Sequence, residues 1–216
     1  VLGIAGRDGA FAQYLALPVD RLHIVPDCVS DKEAVFVEPL ASACRITEQL
    51  TELPDRILVI GDGKLGLLVA QVLSIRSQVF LLGHHVERSK KLIGNKVEVV
   101  TSGEGLRAFQ LVVEATGRPE GLEVAFKLVE PEGTIVLKST YAGRAACDLS
   151  AQLVVPEVTL LGSRCGPFKE AISLLEKKLV SVEPMVEGIY RLEDWRLAFD
   201  RAFRKGSLKI LLQMKA

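Results

Sequence analysis

Three glycines, Gly61, Gly63 and Gly66, stand in the spacing G-x-G-x-x-G within "VIGDGKLGLLVAQVL" (Val59 to Leu73), between an apolar run and an apolar heptad. If the turn leaves a buried strand and opens a helix, that spacing can hold a diphosphate. The unpaired N–H groups of the first helical turn and the positive end of the helix dipole then face an anion. Gly61 permits the tight turn, Gly63 lets a pyrophosphate approach the backbone, and Gly66 lets helix and strand pack closely. Asp62, Lys64 and Leu65 complete the cradle. The alternative is a purely structural turn, since a lone G-x-G-x-x-G is a weak signal outside its strand and helix context.

The end of the second strand decides which dinucleotide such a turn takes. An aspartate or glutamate there accepts hydrogen bonds from a ribose 2′-hydroxyl and repels a 2′-phosphate. This chain instead reads "LLGHHVERSKK", placing Gly83, His84 and His85 there, then Arg88 and Lys90. A glycine leaves room and basic groups offer charge-assisted hydrogen bonds to phosphate, so NADP(H) is expected over NAD(H). A solvated, charged helix start is the alternative. The missing acid also counts against an adenosylmethionine site.

The elements that must position these residues follow from periodicity. Short β-branched runs at 57–60, 79–82, 97–100, 111–115, 134–137 and 158–162 alternate with helical stretches. That alternation predicts an α/β fold with a doubly wound, six-stranded parallel sheet. Leu65, Leu68, Val69, Val72 and Leu73 form one apolar stripe that would pack on the sheet. Upstream, Ser30 to Glu33 reads as a capping box, and Pro39 is expected to kink the helix beside Glu38. Downstream, two amphipathic helices are expected, one carrying Phe168, Ile172, Leu175 and Leu179, the other Leu192, Trp195, Phe199, Ala202 and Phe203. Gly206 would end the second, and "LKILLQM" reads as a closing strand.

Composition limits the partners. The 216 residues are 49% hydrophobic and 25% charged, and 27 basic side chains balance 27 acidic ones. With no basic field, neither nucleic acid nor a membrane surface is expected as a partner. No apolar run approaches the roughly 18 residues of a membrane span. Cys28, Cys44, Cys147 and Cys165 are scattered, without the spacing of a metal site, which fits the cytoplasm or an organellar lumen under reducing conditions. A targeting segment ahead of Val1 would not be visible. The adjacent His84 and His85 point different ways after a strand and make poor joint metal ligands. Tyr14 and Tyr141 lack a lysine four residues on and read as packing residues, and Cys165 reads as structural.

Taken together, "GAFAQYLALP" (Gly9 to Pro18), "VEPLASA" (Val37 to Ala43), "GDGKLG" (Gly61 to Gly66), "VVEATG" (Val112 to Gly117), "PEGTIVLKSTY" (Pro131 to Tyr141) and "GSLKILL" (Gly206 to Leu212) resemble, in order, the medium-chain dehydrogenase/reductase superfamily of zinc-type alcohol and polyol dehydrogenases. The resemblance implies that Ala115, Thr116 and Gly117 line the cofactor groove and that Lys138 and Ser139 neighbour the nicotinamide. It implies that Lys209 faces the pyrophosphate, unless it is an ordinary surface lysine. Glu38 inherits candidacy as a ligand at or near a catalytic zinc, but such an ion needs about three protein ligands. Relatives carry the other ligands in a GroES-like domain ahead of "GAFAQY", so zinc is expected only in a complete family member, and no catalytic residue is assigned here. The expected organisation is a GroES-like remnant at 1–42, a Rossmann domain at 43–164 and a return to the catalytic domain at 165–216. The flanks would expose Phe11, Tyr14, Trp195 and Phe203.

The resulting expectation is the NADP(H)-binding part of an enzyme moving hydride between nicotinamide and a small alcohol or aldehyde, truncated and inactive alone. The sixth strand, at the sheet edge, would pair two copies as a homodimer. A non-catalytic dinucleotide-sensing or assembly module is the rival reading.

Overall fold

The computed structural model describes residues 3, 5, 6, 8–140, 148 and 150–214. Tyr141 and Cys147 lie outside them. Contacts divide the chain into two units, Pro26–Val182 and a second formed by Val1–Val25 with Glu183–Ala216. The larger unit takes in, besides the strand region, helices that flank it on both sides.

In the larger unit, Ser30 caps α1 (Asp31–Ala34) by a capping box. Ser30 Oγ accepts from Glu33 N–H, and the Glu33 carboxylate accepts from Ser30 N–H at 2.9 Å. The Lys178 ammonium and the Ser30 N–H hold the Glu33 carboxyl below its ordinary value, outweighing its desolvation. After α1 the chain breaks and restarts as α2 (Val37–Gln49), with Pro39 in the first turn. A proline there sacrifices no helical hydrogen bond, so α2 is not kinked beside Glu38.

From there β1 (Arg56–Ile60), α3 (Lys64–Leu73), β2 (Gln78–Leu82), α4 (Val86–Ile93), β3 (Val97–Val100), β4 (Phe109–Glu114), α5 (Pro119–Leu128), β5 (Val129–Leu137) and β6 (Thr159–Gly162) build one sheet. Its order is β3-β2-β1-β4-β5-β6 and every pairing is parallel, the doubly wound six-stranded arrangement. The reversal of strand order falls between β1 and β4, and their carboxyl ends are where such sheets bind ligands. The last strand stands at the sheet edge. Strand β5 starts earlier than the apolar run suggests, at Val129, and its pairing with β4 shifts register between Phe109 and Leu111.

On one face Leu122, Ala125 and Leu128 of α5 cover Leu58, Ile60, Val112 and Ile135. On the other, α3 is buried almost all round rather than along a single stripe: Leu67, Leu68, Val69, Ala70 and Leu73 are all within 1% of full burial. Helix α2 packs against its outer side and also against α6 (Phe168–Glu176). Gln71, buried in α3, ties the following segment down through both amide ends, its Nε2 donating to Ser181 O at 3.1 Å and its Oε1 accepting from Ser181 N–H at 2.7 Å. The expected long helix reaching Leu179 stops at Glu176, and Leu179 is partly exposed.

The second unit holds β7 (Val186–Arg191), α7 (Trp195–Ala202) and β8 (Lys209–Gln213). Strand β8 is the expected closing strand; β7, its parallel partner, is an addition to the sequence reading. Phe199 meets Phe11, Trp195 and Phe203 with ring centroids 5.8, 6.0 and 5.9 Å apart. Phe11, Tyr14, Trp195 and Phe203 are exposed, as expected. Among the described residues no helix is long and apolar enough to cross a membrane.

Candidate dinucleotide site

At the carboxyl end of β1 the chain turns through Gly61, whose φ of +109° disfavours any residue with a side chain. Its N–H donates to Leu82 O at 2.8 Å, and Ala115 N–H, at the end of β4, donates to Ile60 O at 2.9 Å. The turn is therefore pinned to the strands on both sides. A Cβ on Gly61 would lie 2.8 Å from Ala115 O, and one on Gly66 would lie 1.8 Å from Gly61 O. Gly63 differs. It is exposed, stands at the N-cap of α3, and a Cβ there would meet no described heavy atom within 4 Å. Among the described residues no side chain caps α3, and Lys64 in its first turn is exposed, while Leu65 is half-buried. Two glycines are thus needed by packing, and the third borders open space at an uncapped helix start, the cradle an anion requires.

Asp62, between the first two glycines, is only 7% exposed. Its Oδ2 accepts from His85 N–H at 2.6 Å and lies 3.0 Å from His85 Nδ1, and its carbonyl accepts from Arg88 Nη2 at 3.1 Å. Burial pushes the carboxyl up, but the His85 amide, the His85 ring and the Arg88 charge together hold it below its ordinary value, so it is an anion at neutral pH. Its side chain also fills the room Gly83 leaves: a Cβ on Gly83 would sit 2.4 Å from Asp62 Cβ and 2.7 Å from Oδ2. The premise that Gly83 opens space for a phosphate is therefore replaced by a carboxylate standing in that space, and one Arg88 donor already serves Asp62. His84 and the His85 ring are exposed.

The end of β4 supplies the neighbouring wall. Glu114, fully buried, accepts from Thr116 N–H at 2.7 Å and from its hydroxyl, while Thr116 Oγ1 accepts from Arg118 N–H at 3.1 Å. Gly117, at φ +72°, donates its N–H to Ser139 Oγ at 2.9 Å. Gly61, Gly66, Ala115 and Thr116 thus meet at the strand-order reversal. Glu114 was missed in the sequence, although a carboxylate ending the apolar run "LVVEA" is the signal that could have shown it.

Lys138 turns elsewhere. It is 8% exposed, and its Nζ donates to Ser42 O at 2.6 Å, to Ser163 Oγ at 3.2 Å and to Arg164 O at 3.4 Å, stapling the end of β5 to α2 and to the loop after β6. Burial pushes its pKa down to about 8; Cys165, Cys44 and Glu38 oppose the fall and Arg45 adds to it. The folded amine therefore sheds its proton near pH 8, whereas the unfolded one holds it to about 10.5. Between those values the unfolded chain binds more protons, so this group's contribution to stability rises with pH, by at most ~1.4 kcal/mol per unit. Urea unfolding of wild type and Lys138→Met at about pH 8 and about pH 10 checks this. The wild type should gain relative to the variant at the higher pH, and a constant difference would refute it.

Of the remaining candidates in the larger unit, Glu38 is not joined to the turn by the described contacts. Glu38 is exposed in the first turn of α2, and among the described residues no three His, Cys, Asp or Glu side chains stand together as a metal site. Lys209 lies in β8 of the second unit. Cys44 is buried, its thiol pushed up to about 12 by desolvation and the Glu170 charge, while Cys28 and Cys165 are exposed free thiols.

Comparison with known proteins gives the site its context. No family model matches the chain. D-arabitol-phosphate dehydrogenase of Enterococcus avium is 26% identical over 231 residues, covering 96% of this chain and 64% of the relative. Sorbitol dehydrogenase of Halalkalibacterium halodurans is 25% identical, covering 95% of this chain and 66% of the relative. The chain thus spans just under two thirds of the length of these curated relatives. Among solved structures, a short chain alcohol dehydrogenase of Escherichia coli CFT073 complexed with NADH superposes with a TM-score of 0.83 at 23% identity, over 96% of this chain and 66% of that one. A candidate zinc-binding dehydrogenase of Sinorhizobium meliloti 1021 bound to NADP gives 0.83 at 19%, over 95% and 66%. These structures share the fold.

Proposed function

We propose, from the premise that this chain is a relative of the zinc-type polyol and alcohol dehydrogenases of the medium-chain dehydrogenase/reductase superfamily, that its sheet domain binds a nicotinamide adenine dinucleotide for hydride exchange with a small alcohol or polyol. The observation that carries this reading is the turn at Gly61–Gly66. Two of its glycines exclude a Cβ, and the third fronts an uncapped helix at the strand-order reversal. A nicotinamide dinucleotide fits this cradle and supplies the hydride acceptor or donor when bound. The main-chain amides of Gly63, Lys64 and Leu65 would hold the diphosphate, Asp62, Gly83, His84, His85 and Arg88 would border the adenosine side, and Ala115, Thr116, Gly117 and Ser139 would line the nicotinamide side. Lys138 would support that wall from behind.

The NADP(H) preference read from the sequence stands on Gly83, His84, His85 and Arg88; of these, only the exposed histidines keep the setting it assumed. Zinc does not fit the described residues, Glu38 being a lone candidate, so no step is routed through it. The exposed Phe11, Tyr14, Trp195 and Phe203 support reading the flanks, 1–42 and 165–216, as belonging with a GroES-like catalytic domain. The edge position of β6 supports a homodimer through that strand. The free thiols support a reducing compartment.

Thermal unfolding tests the reading. Nucleotide at about 100 times its Kd adds ~2.7 kcal/mol, which for a chain of this size raises Tm by several degrees. An unchanged Tm with both NADH and NADPH would overturn it. The sensing-module alternative predicts the same binding and no turnover with any alcohol by the full-length protein.

A further inference from the structure

Resting on the dinucleotide reading, we infer that Asp62 is the residue that discriminates at the adenosine ribose, selecting a free 2′-hydroxyl and so NAD(H) over NADP(H). In doubly wound dinucleotide folds a carboxylate at the end of the second strand accepts from the ribose hydroxyls. The residue following β2 in this chain is Gly83, which carries no such group. The structure nevertheless puts a carboxylate at that place, from a different address. Asp62, two residues beyond β1, lays its side chain against Gly83, so closely that any Cβ on Gly83 would overlap it. The strand-end glycine is therefore the partner that admits the Asp62 side chain.

The carboxylate is held in place as well as delivered. Its Oδ2 takes the His85 main-chain N–H at 2.6 Å and faces the ring Nδ1 at 3.0 Å. Both contacts fix its position beside the first residues of α4. Of the charged groups around it, Arg88 directs one donor to the Asp62 carbonyl at 3.1 Å, and the His85 ring engages the carboxylate itself. Two of the basic groups that looked like phosphate ligands in the sequence, His85 and Arg88, are thus turned toward Asp62. A 2′-phosphate arriving there would bring about two negative charges to a fixed, buried anion, which repels it, while a hydroxyl can donate to it.

The test uses the intact chain and measures binding, without turnover. ADP-ribose and 2′-phospho-ADP-ribose differ only at the discriminating position and are titrated calorimetrically into wild type and into Asp62→Asn, which keeps the shape and an acceptor for the His85 amide but removes the charge. Wild type should bind ADP-ribose at least about tenfold tighter than its 2′-phosphorylated form, a difference of ~1.4 kcal/mol. In Asp62→Asn that ratio should shrink about tenfold or more, mainly through tighter binding of the phosphorylated ligand. Equal or tighter binding of the phosphorylated ligand by wild type would overturn the inference without needing the variant. So would an unchanged ratio in Asp62→Asn. If wild type binds neither ligand, the dinucleotide reading itself fails, a result separate from a failed preference.

Discussion

Replacing Gly66 with alanine is expected to abolish dinucleotide binding and to destabilise the sheet domain by at least ~3 kcal/mol. The added Cβ would sit 1.8 Å from Gly61 O and 3.8 Å from Ala115 Cβ. The first contact is with backbone that cannot rotate away. Gly61 is fixed by its bond to Leu82 O and by its own positive φ, so α3 must lift from β1. That movement would expose a helix buried almost all round and misplace the amides of its first turn. Gly63→Ala provides the contrast, since its Cβ would enter open space and its φ of −78° suits any residue. That variant should unfold within about 1 kcal/mol of wild type yet bind nucleotide more weakly, because the methyl group stands where the diphosphate must approach. Urea unfolding and calorimetric titration of both variants separate the roles. A Gly66→Ala protein as stable and as competent as wild type would contradict the geometry.

Gly166→Ala is the second large effect expected, about 2–3 kcal/mol. Its Cβ would lie 1.9 Å from Ala41 O and 3.0 Å from Arg45 N, both main-chain atoms of α2. The loop after β6 would have to rise from α2. The Ser42 Oγ bond to Arg164 O and the Lys138 bonds to Ser163 and Arg164 lie along that seam. Cys44, buried in α2, reports on the opening. In wild type, thiol reagents should modify Cys28 and Cys165 quickly and Cys44 slowly. In the variant, Cys44 should react faster and the urea midpoint should fall. An unchanged midpoint with Cys44 still protected would show that the loop accommodates the methyl group.

These residues also show what could be read before the fold was known. The sheet was legible because its strands are short apolar runs, most of them separated by helical periods. Gly61, Gly63 and Gly66 announced the turn by their spacing together with the apolar strand before them and the helical stripe after them. The Ser30–Glu33 capping box was legible for the same reason, as a local pattern with a local cause. What escaped was set by contacts distant in sequence. Nothing near Asp62 says that its side chain will occupy the space beside Gly83, because that depends on β1 and β2 ending side by side. That Lys138 donates to Ser42, Ser163 and Arg164, 96, 25 and 26 positions away, has no local signal in the sequence. The stripe of α3 predicted one buried face; the second is buried by α2, whose position no periodicity encodes. Strand β7 was missed because its alternation is weak and its partner β8 follows only after α7.

The central claim is that main-chain amides at the start of α3, bared by the glycines, hold a diphosphate. Calorimetric titration with ADP-ribose and with adenosine tests it directly, because only the first carries that group. One ADP-ribose should bind per chain, with adenosine weaker by on the order of a hundredfold, about 2.7 kcal/mol. Equal affinity for the two, or no heat from ADP-ribose at saturating concentration, would contradict the account.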